Sequence, residues 1–304
     1  MPKLLVIFAA VLFGTTGTAQ ALGPDASPLA VGASRIIFGA ALLWLIAGPA
    51  RRAATGGSWP RWTVAICGLA VAIYQLSFFV SVDRTGVAVG TVVALGSAPA
   101  LAGLLARVLR GEALTGRWMA CTALAVAGIV LLVAGGRSAS VDPGGVALAL
   151  AAGAGYAIYT VLAKDLLTAG HAPEDVMARV FATGALLLVP VLPLAGVGFL
   201  GSGSGWAMVL YLAAIPTALA YVCFARGLRK LSAGETATLT LAEPLTAAAL
   251  GALILDERPG ALAIAGGVLV LAGLVALAAP SRRPGAGISR AGDGSAPVGC
   301  REVV

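Results

Sequence analysis

Charge is scarce in this sequence. Of 304 residues only 11% are Asp, Glu, Lys or Arg, against about 25% in soluble domains, which excludes a water-soluble globular chain. Cysteine occurs four times, too few and too scattered for a disulfide framework or a zinc site, and no two form a C-x-x-C pair. Cys67, Cys121 and Cys223 lie in apolar runs, where cysteine behaves as a small hydrophobe; Cys300 sits in a polar tail. His171 is the single histidine. It lies in a polar connection near Glu174 and Asp175 and reads as a loop residue. No H-E-x-x-H, G-x-S-x-G or P-loop pattern is present, so neither a metal nor another cofactor is expected, and ATP-driven movement by this chain alone is not.

Apolar residues fill that space. They make up 59% of the chain, the mean hydropathy is +0.97, and the 41 glycines suit closely packed membrane helices. Runs of roughly 17 to 25 apolar residues mark membrane-spanning helices. Ten occur, at 4–22, 29–47, 62–81, 86–106, 117–135, 144–163, 176–196, 206–225, 234–253 and 261–279. Lys3 ahead of the first run resembles a signal peptide, but nine further runs follow, so a retained helix is expected. The predicted fold is all-α and polytopic, with short connections and a disordered Gly-, Pro-, Ser- and Arg-rich tail over 281–304.

The positions of the basic residues predict orientation. With the N-terminus in the cytoplasm, the inside holds Lys3, Arg51, Arg52, Arg61, Arg107, Arg110, Arg117, Lys164, Arg226, Arg229, Lys230, Arg282, Arg283, Arg290 and Arg301. The outside holds only Arg84, Arg137 and Arg258, while Arg35 and Arg179 fall within spans. Both ends are therefore expected in the cytoplasm of a multi-pass protein of the cell membrane. The net charge of +7 is then a topology signal that implies no nucleic-acid partner.

The two halves repeat. An offset of 145 places Arg84 on Arg229, Thr91 on Thr236, Pro99 on Pro244, Glu112 on Glu257 and Gly128 on Gly273. The expected units are 1–139 and 140–280. Five spans per unit is an odd number, so the second must enter the membrane upside down. Inverted repeats are the architecture of secondary transporters, with the substrate site near the midplane between them.

The stretch Leu241–Leu277 (LAEPLTAAALGALILDERPGALAIAGGVLVLAGLVAL) resembles the second repeat of EamA-type transporters of the drug/metabolite transporter superfamily. It has Glu-Pro in the ninth helix, an acidic pair at Asp256 and Glu257, and a Gly-rich tenth helix. Ala98-Pro99, Gly111-Glu112 and Gly128 give a weaker version in the first repeat. The resemblance covers about residues 4 to 279. It implies ten helices in two inverted repeats, cytoplasmic termini, and movement of small metabolites or drugs, often outward. The first helix departs from the family, reading GTTGTAQAL over Gly14–Leu22 where many relatives carry a tryptophan-glycine motif.

Ionisable groups inside a bilayer are costly, so each is a candidate functional residue. At 1.5 Å per residue, Glu243 lies roughly 14 Å along its helix, near the middle of a ~30 Å core. Arg35 lies roughly 9 Å deep by the same count, whereas Glu235, Arg179 and Lys164 are close enough to a surface to snorkel. Glu243 precedes Pro244, whose missing N–H is expected to leave the Thr240 carbonyl unpaired. A poorly solvated carboxylate has its charged form disfavoured, which suits proton exchange or capture of a substrate amine. The alternative is a carboxyl group tying the ninth helix to a neighbour. Arg35 is a candidate for a substrate carboxylate or for a structural pair with Glu243. Tyr74, Gln75, Tyr156, Tyr159 and Tyr221 are candidate cavity residues, with an interfacial aromatic belt as the alternative. Ser97, beside Pro99, is the first-repeat candidate, and the equivalent of Glu243 is Ala98. Glu112 and Glu257 are expected to accept hydrogen bonds at the start of the next helix. The stripe Gly86, Gly90, Ala94, Ala98, Ala102 and Ala106 reads as packing.

The reading is a secondary transporter exporting an amino-acid-like metabolite or a drug by alternating access. A membrane-embedded enzyme on a lipid-linked or small substrate is the alternative. The expected partners are that small molecule and the bilayer. A homodimer stays open, since a small-residue face serves packing within one chain equally well.

Overall fold

The computed structural model describes residues 1–49, 59–134, 142–256, 258 and 260–279. Glu257, Arg137, Cys300 and the 281–304 tail lie outside the described residues, and so do the expectations attached to them. The helices are α1 (Pro2–Ala21), α2 (Pro28–Ile46), α3 (Arg61–Gly86), α4 (Val89–Arg110), α5 (Gly116–Ala134) and α6 (Pro143–Thr168), then α7 (Pro173–Leu188) and α8 (Val191–Ala195). They continue as α9 (Gly203–Ala213), a π-helical turn (Ala214–Leu219), α10 (Ala220–Leu228), α11 (Ala233–Leu239), α12 (Ala242–Ile254) and α13 (Ala261–Ala278). Among the described residues there is no strand, and nine segments are long and apolar enough to cross a membrane. The polytopic all-α expectation holds. The seventh run differs: it ends as a helix at Leu188 and resumes only for five residues at Val191, because Pro190 and Pro193 cannot supply the N–H groups that would carry it through.

Local chemistry sets the ends. Proline stands in the first turn of α1, α2, α6 and α7, where its missing N–H costs nothing. The Asp142 carboxylate accepts from the N–H groups of Gly144 (3.3 Å) and Gly145 (2.9 Å) at the start of α6. Ser232 and Glu235 form a capping box at α11. Ser232→Ala is expected to cost about 1 kcal/mol, seen as a lowered thermal midpoint in detergent. Between α3 and α4 the chain reverses at Gly86, whose φ is +80°, a backbone angle that glycine reaches without strain. Gly86 therefore serves the turn and leaves the packing stripe to its successors.

Glu112 reaches further than expected. Its carboxylate accepts from the N–H of Ala233 (3.3 Å), so it braces the start of α11, in the other half, and not the next helix along the chain. Arg110 holds both Glu112 (3.5 Å) and Asp165 of α6 (3.1 Å). Lys164 donates to the carbonyls of Leu228 (3.1 Å) and Leu231. Arg179 pairs with Asp175 and lies over the Trp59 ring, on which His171 stacks.

The relation between the halves is written into the α5–α13 seam. A Cβ on Gly128 would fall 2.6 Å from the Val270 nitrogen and 2.7 Å from the Gly266 oxygen, and one on Gly273 would fall 2.9 Å from the Cys121 oxygen and 3.1 Å from the Ala125 nitrogen. By the 145 offset Gly128 corresponds to Gly273, Cys121 to Gly266 and Ala125 to Val270. The same contact is thus made twice with its partners exchanged, which is the mark of a two-fold relation. Residue numbers rise on α5 as they fall on α13, so the helices are antiparallel and the two-fold axis crosses them. The repeats are inverted.

Many apolar side chains face outward, Val268 and Val275 each 60% exposed, while Arg35, Gln75, Thr236 and Thr238 are buried. α6 fits between α3 and α4 because Gly153 meets Ala94, Ser97 and Ala98, and Gly155 meets Ala70 and Tyr74. The stripe Ala94, Ala98, Ala102 and Ala106 is buried, as close helix approach requires.

Candidate functional site

A narrow cavity opens among α1, α3, α4, α6, α10 and the junction of α11 with α12. Its walls are Phe13, Tyr74, Ala94, Leu95, Ala98, Gly153, Tyr156, Tyr221, Ala237, Thr240, Leu241 and Glu243. With its mouth it spans about 420 Å³, but the walls stand so close that it admits little beyond water.

Two interrupted spans position these groups. The ninth breaks at Thr240–Leu241, between α11 and α12. The Thr240 carbonyl is not left free as the sequence predicts: it accepts the Glu243 N–H at 2.9 Å in a tight turn. The interruption turns Glu243 into the cavity. Unwound backbone at this depth is tolerated where it faces protein or a polar hollow. The eighth span contains the π-helical turn around Pro216, where the Thr217 hydroxyl donates to the Leu212 carbonyl at 2.8 Å. Such turns re-aim the residues that follow, here Tyr221.

Among the described residues no group donates a hydrogen bond to the half-buried Glu243 carboxylate, and none pairs with it. Arg35, on α2, donates from Nη2 to the Gln75 Oε1 at 3.3 Å, and its Nε is buried without a partner. The Gln75 Nε2 is likewise unpartnered. Among the described residues no Arg35–Glu243 ion pair forms. A carboxylate and a guanidinium thus share one apolar interior with bonding capacity to spare.

The tyrosines form no interfacial belt. Tyr74, Tyr156, Tyr159 and Tyr221 chain together at ring distances of 6.0, 6.0 and 6.2 Å, with Phe13 4.8 Å and Phe181 4.2 Å from Tyr221. Tyr156 shares a hydrogen bond with Thr240 (3.2 Å) and Tyr159 donates to the Met177 sulfur (3.5 Å). Of the residues singled out in the sequence, Glu243, Tyr74, Tyr156 and Tyr221 line the cavity. Tyr159, Arg35, Gln75 and Ser97 are not among its lining residues, and Ser97 donates to the Ala94 carbonyl (3.2 Å) while packing on Gly153. Phe13 and Thr240 line it without having been anticipated. Thr240 lay within reach, three residues before the Glu-Pro pair; Phe13 carries no polar signal. By the repeat offset Ala98 and Glu243 are equivalent, as are Leu95 and Thr240, and all four line the cavity.

The sequence matches the EamA-like transporter family twice, over residues 2–134 and 143–279. The chain belongs to the EamA-like transporter family. It is 38% identical over 283 residues to the uncharacterized transporter YwfM of Bacillus subtilis, covering 92% of this chain and 95% of that one. It is 32% identical to a probable terminal-alkyne amino-acid exporter of Streptantibioticus cattleyicolor over 70% of this chain and 71% of the relative. It is 26% identical to a probable amino-acid metabolite efflux pump of Escherichia coli K12, over 68% and 73%. A solved crystal structure superposes with a TM-score of 0.77 at 23% identity, covering 91% of this chain and 96% of the other, which establishes the shared fold. This EamA-type protein is a multi-pass membrane transporter, and the embedded-enzyme alternative falls away.

Proposed function

We propose that this EamA-type transporter exports a zwitterionic, amino-acid-like metabolite across the cell membrane, with both chain ends in the cytoplasm. The Glu243 carboxylate, without a partner among the described residues and facing the cavity, carries this reading, with Arg35, whose Nε is buried without a partner while its Nη2 is held by Gln75, as the second charged group. A substrate ammonium satisfies Glu243, a substrate carboxylate satisfies the free Nε of Arg35, and the hydroxyls of Tyr74 and Tyr221 offer further partners. Leaving such groups unmatched costs free energy, so a zwitterion is favoured over a neutral cargo. The names of the Streptantibioticus and Escherichia relatives support both cargo class and outward direction. The distribution of Lys and Arg supports the orientation.

The cavity is too tight for such a cargo as it stands, so its walls must part. The inverted units, 1–139 and 140–280, supply the means: rocking one against the other exposes the shared hollow to each side in turn. Glu243, alternately bound to a proton and to the substrate ammonium, couples that motion to a proton gradient.

The test uses proteoliposomes holding the purified chain and a panel of labelled amino acids. Arg35→Gln is expected to weaken half-saturation about tenfold for amino acids and to leave their carboxamides, which lack the carboxylate, nearly unchanged. An equal loss for acids and amides would place Arg35 among the structural residues and remove the zwitterion reading.

A further inference from the structure

We propose that a second cavity, which shares no lining residue with the first, holds the phosphodiester headgroup of an anionic phospholipid. It measures about 630 Å³ and lies where α1 and α7 begin and α10 ends. Arg226, Arg229 and Lys230 line it, with Glu174 as the acidic residue and Leu5 and Pro173 among its apolar walls. Arg226 is held by the Glu174 carboxylate at 2.8 Å and 2.5 Å. Arg229 and Lys230 are exposed and have no hydrogen-bond or ion-pair partner among the described residues. Three cations against one carboxylate leave a surplus of positive charge in a concave site, whereas a charge placed only to set topology needs no concavity.

The shape selects the ligand. The volume lies within the range of small-molecule sites. Guanidinium groups meet phosphate oxygens in a planar fork and ammonium adds a point charge. The apolar residues beside them accept the glycerol and first methylenes of a lipid, which free phosphate lacks. Basic pockets between membrane helices on the cytoplasmic side take anionic headgroups on these grounds, and the Lys and Arg distribution puts this one on that side.

Native mass spectrometry of the full chain in mild detergent tests the idea, using phosphatidylglycerol and phosphatidylcholine of identical acyl chains. Phosphatidylglycerol is expected to be retained at least about threefold better. Arg229→Gln with Lys230→Gln is expected to erase that preference, while Arg258→Gln, in the α12–α13 connection, leaves it intact. Glu174→Gln, which frees Arg226, is expected to raise retention, a gain that misfolding cannot produce. Equal retention of the two lipids, or an unchanged preference in the double variant, overturns the proposal. Displacement by millimolar glycerol 3-phosphate overturns the lipid assignment in favour of a soluble phosphate ester. Retention is also expected to survive Glu243→Gln, so this result stands apart from the transport reading.

Discussion

Glu243→Gln is expected to abolish gradient-driven accumulation while leaving the fold intact. The two side chains are nearly isosteric, and the carboxylate has no protein hydrogen bond to lose, so the thermal midpoint in detergent should barely move. What is lost is the negative charge that accepts a proton or an ammonium. Hydrogen bonds to charged groups contribute roughly 1.5–3 kcal/mol, about ten- to a hundredfold in affinity. Uptake into proteoliposomes with and without a pH gradient, beside substrate exchange at equal pH, separates the two roles. Loss of uphill uptake with exchange preserved assigns proton coupling, and loss of both assigns substrate contact. Wild-type accumulation by the variant would leave Glu243 as a structural carboxyl and remove the central support of the proposed mechanism.

Gly266→Ala is expected to destabilise the protein by about 2–3 kcal/mol, toward the upper end of overpacking costs. A Cβ there would lie 2.2 Å from the Leu132 nitrogen and 2.5 Å from the Gly128 oxygen. Both are backbone atoms, which no rotamer change can move aside. The same substitution at Gly17, where nothing lies within 4 Å, should instead stabilise α1 by up to about 1 kcal/mol, since alanine gives up less chain entropy than glycine. Thermal unfolding of the two variants in detergent therefore predicts opposite shifts. A Gly266 variant as stable as the wild type would mean that α5 and α13 do not meet at this seam.

Much of the architecture is legible in the chain because a bilayer converts sequence distance into depth. That conversion marks Glu243 as a mid-depth carboxylate and leaves Glu235 and Arg179 near a surface, where one caps a helix and the other pairs with Asp175. The Pro99–Pro244 and Gly128–Gly273 coincidences mark the repeat, and the second pair returns in the structure as the exchanged contacts between α5 and α13. Other expectations fail for a shared reason. Ser97 and Thr240 both lie near mid-depth, but Ser97 faces α6 and Thr240 faces the cavity. Tyr156 and Tyr159, three residues apart, point one toward Thr240 and the other toward Met177.

By itself the sequence determined the apolar, polytopic helical class, the recurrence between the halves and the one carboxylate placed deep within them, since each depends on length, composition or recurrence; it overcounted the long spans by one, because Pro190 and Pro193 cut the seventh short. Only tertiary structure decided which tyrosines share the cavity, that Glu112 braces the opposite half, and that Arg35 stays apart from Glu243. Each residue turns a helix by about 100°, so facing is set by rotation and tilt. Those are in turn set by close glycine contacts between distant segments and by the interruptions at Pro216 and Thr240–Leu241, none of which a hydropathy pattern encodes.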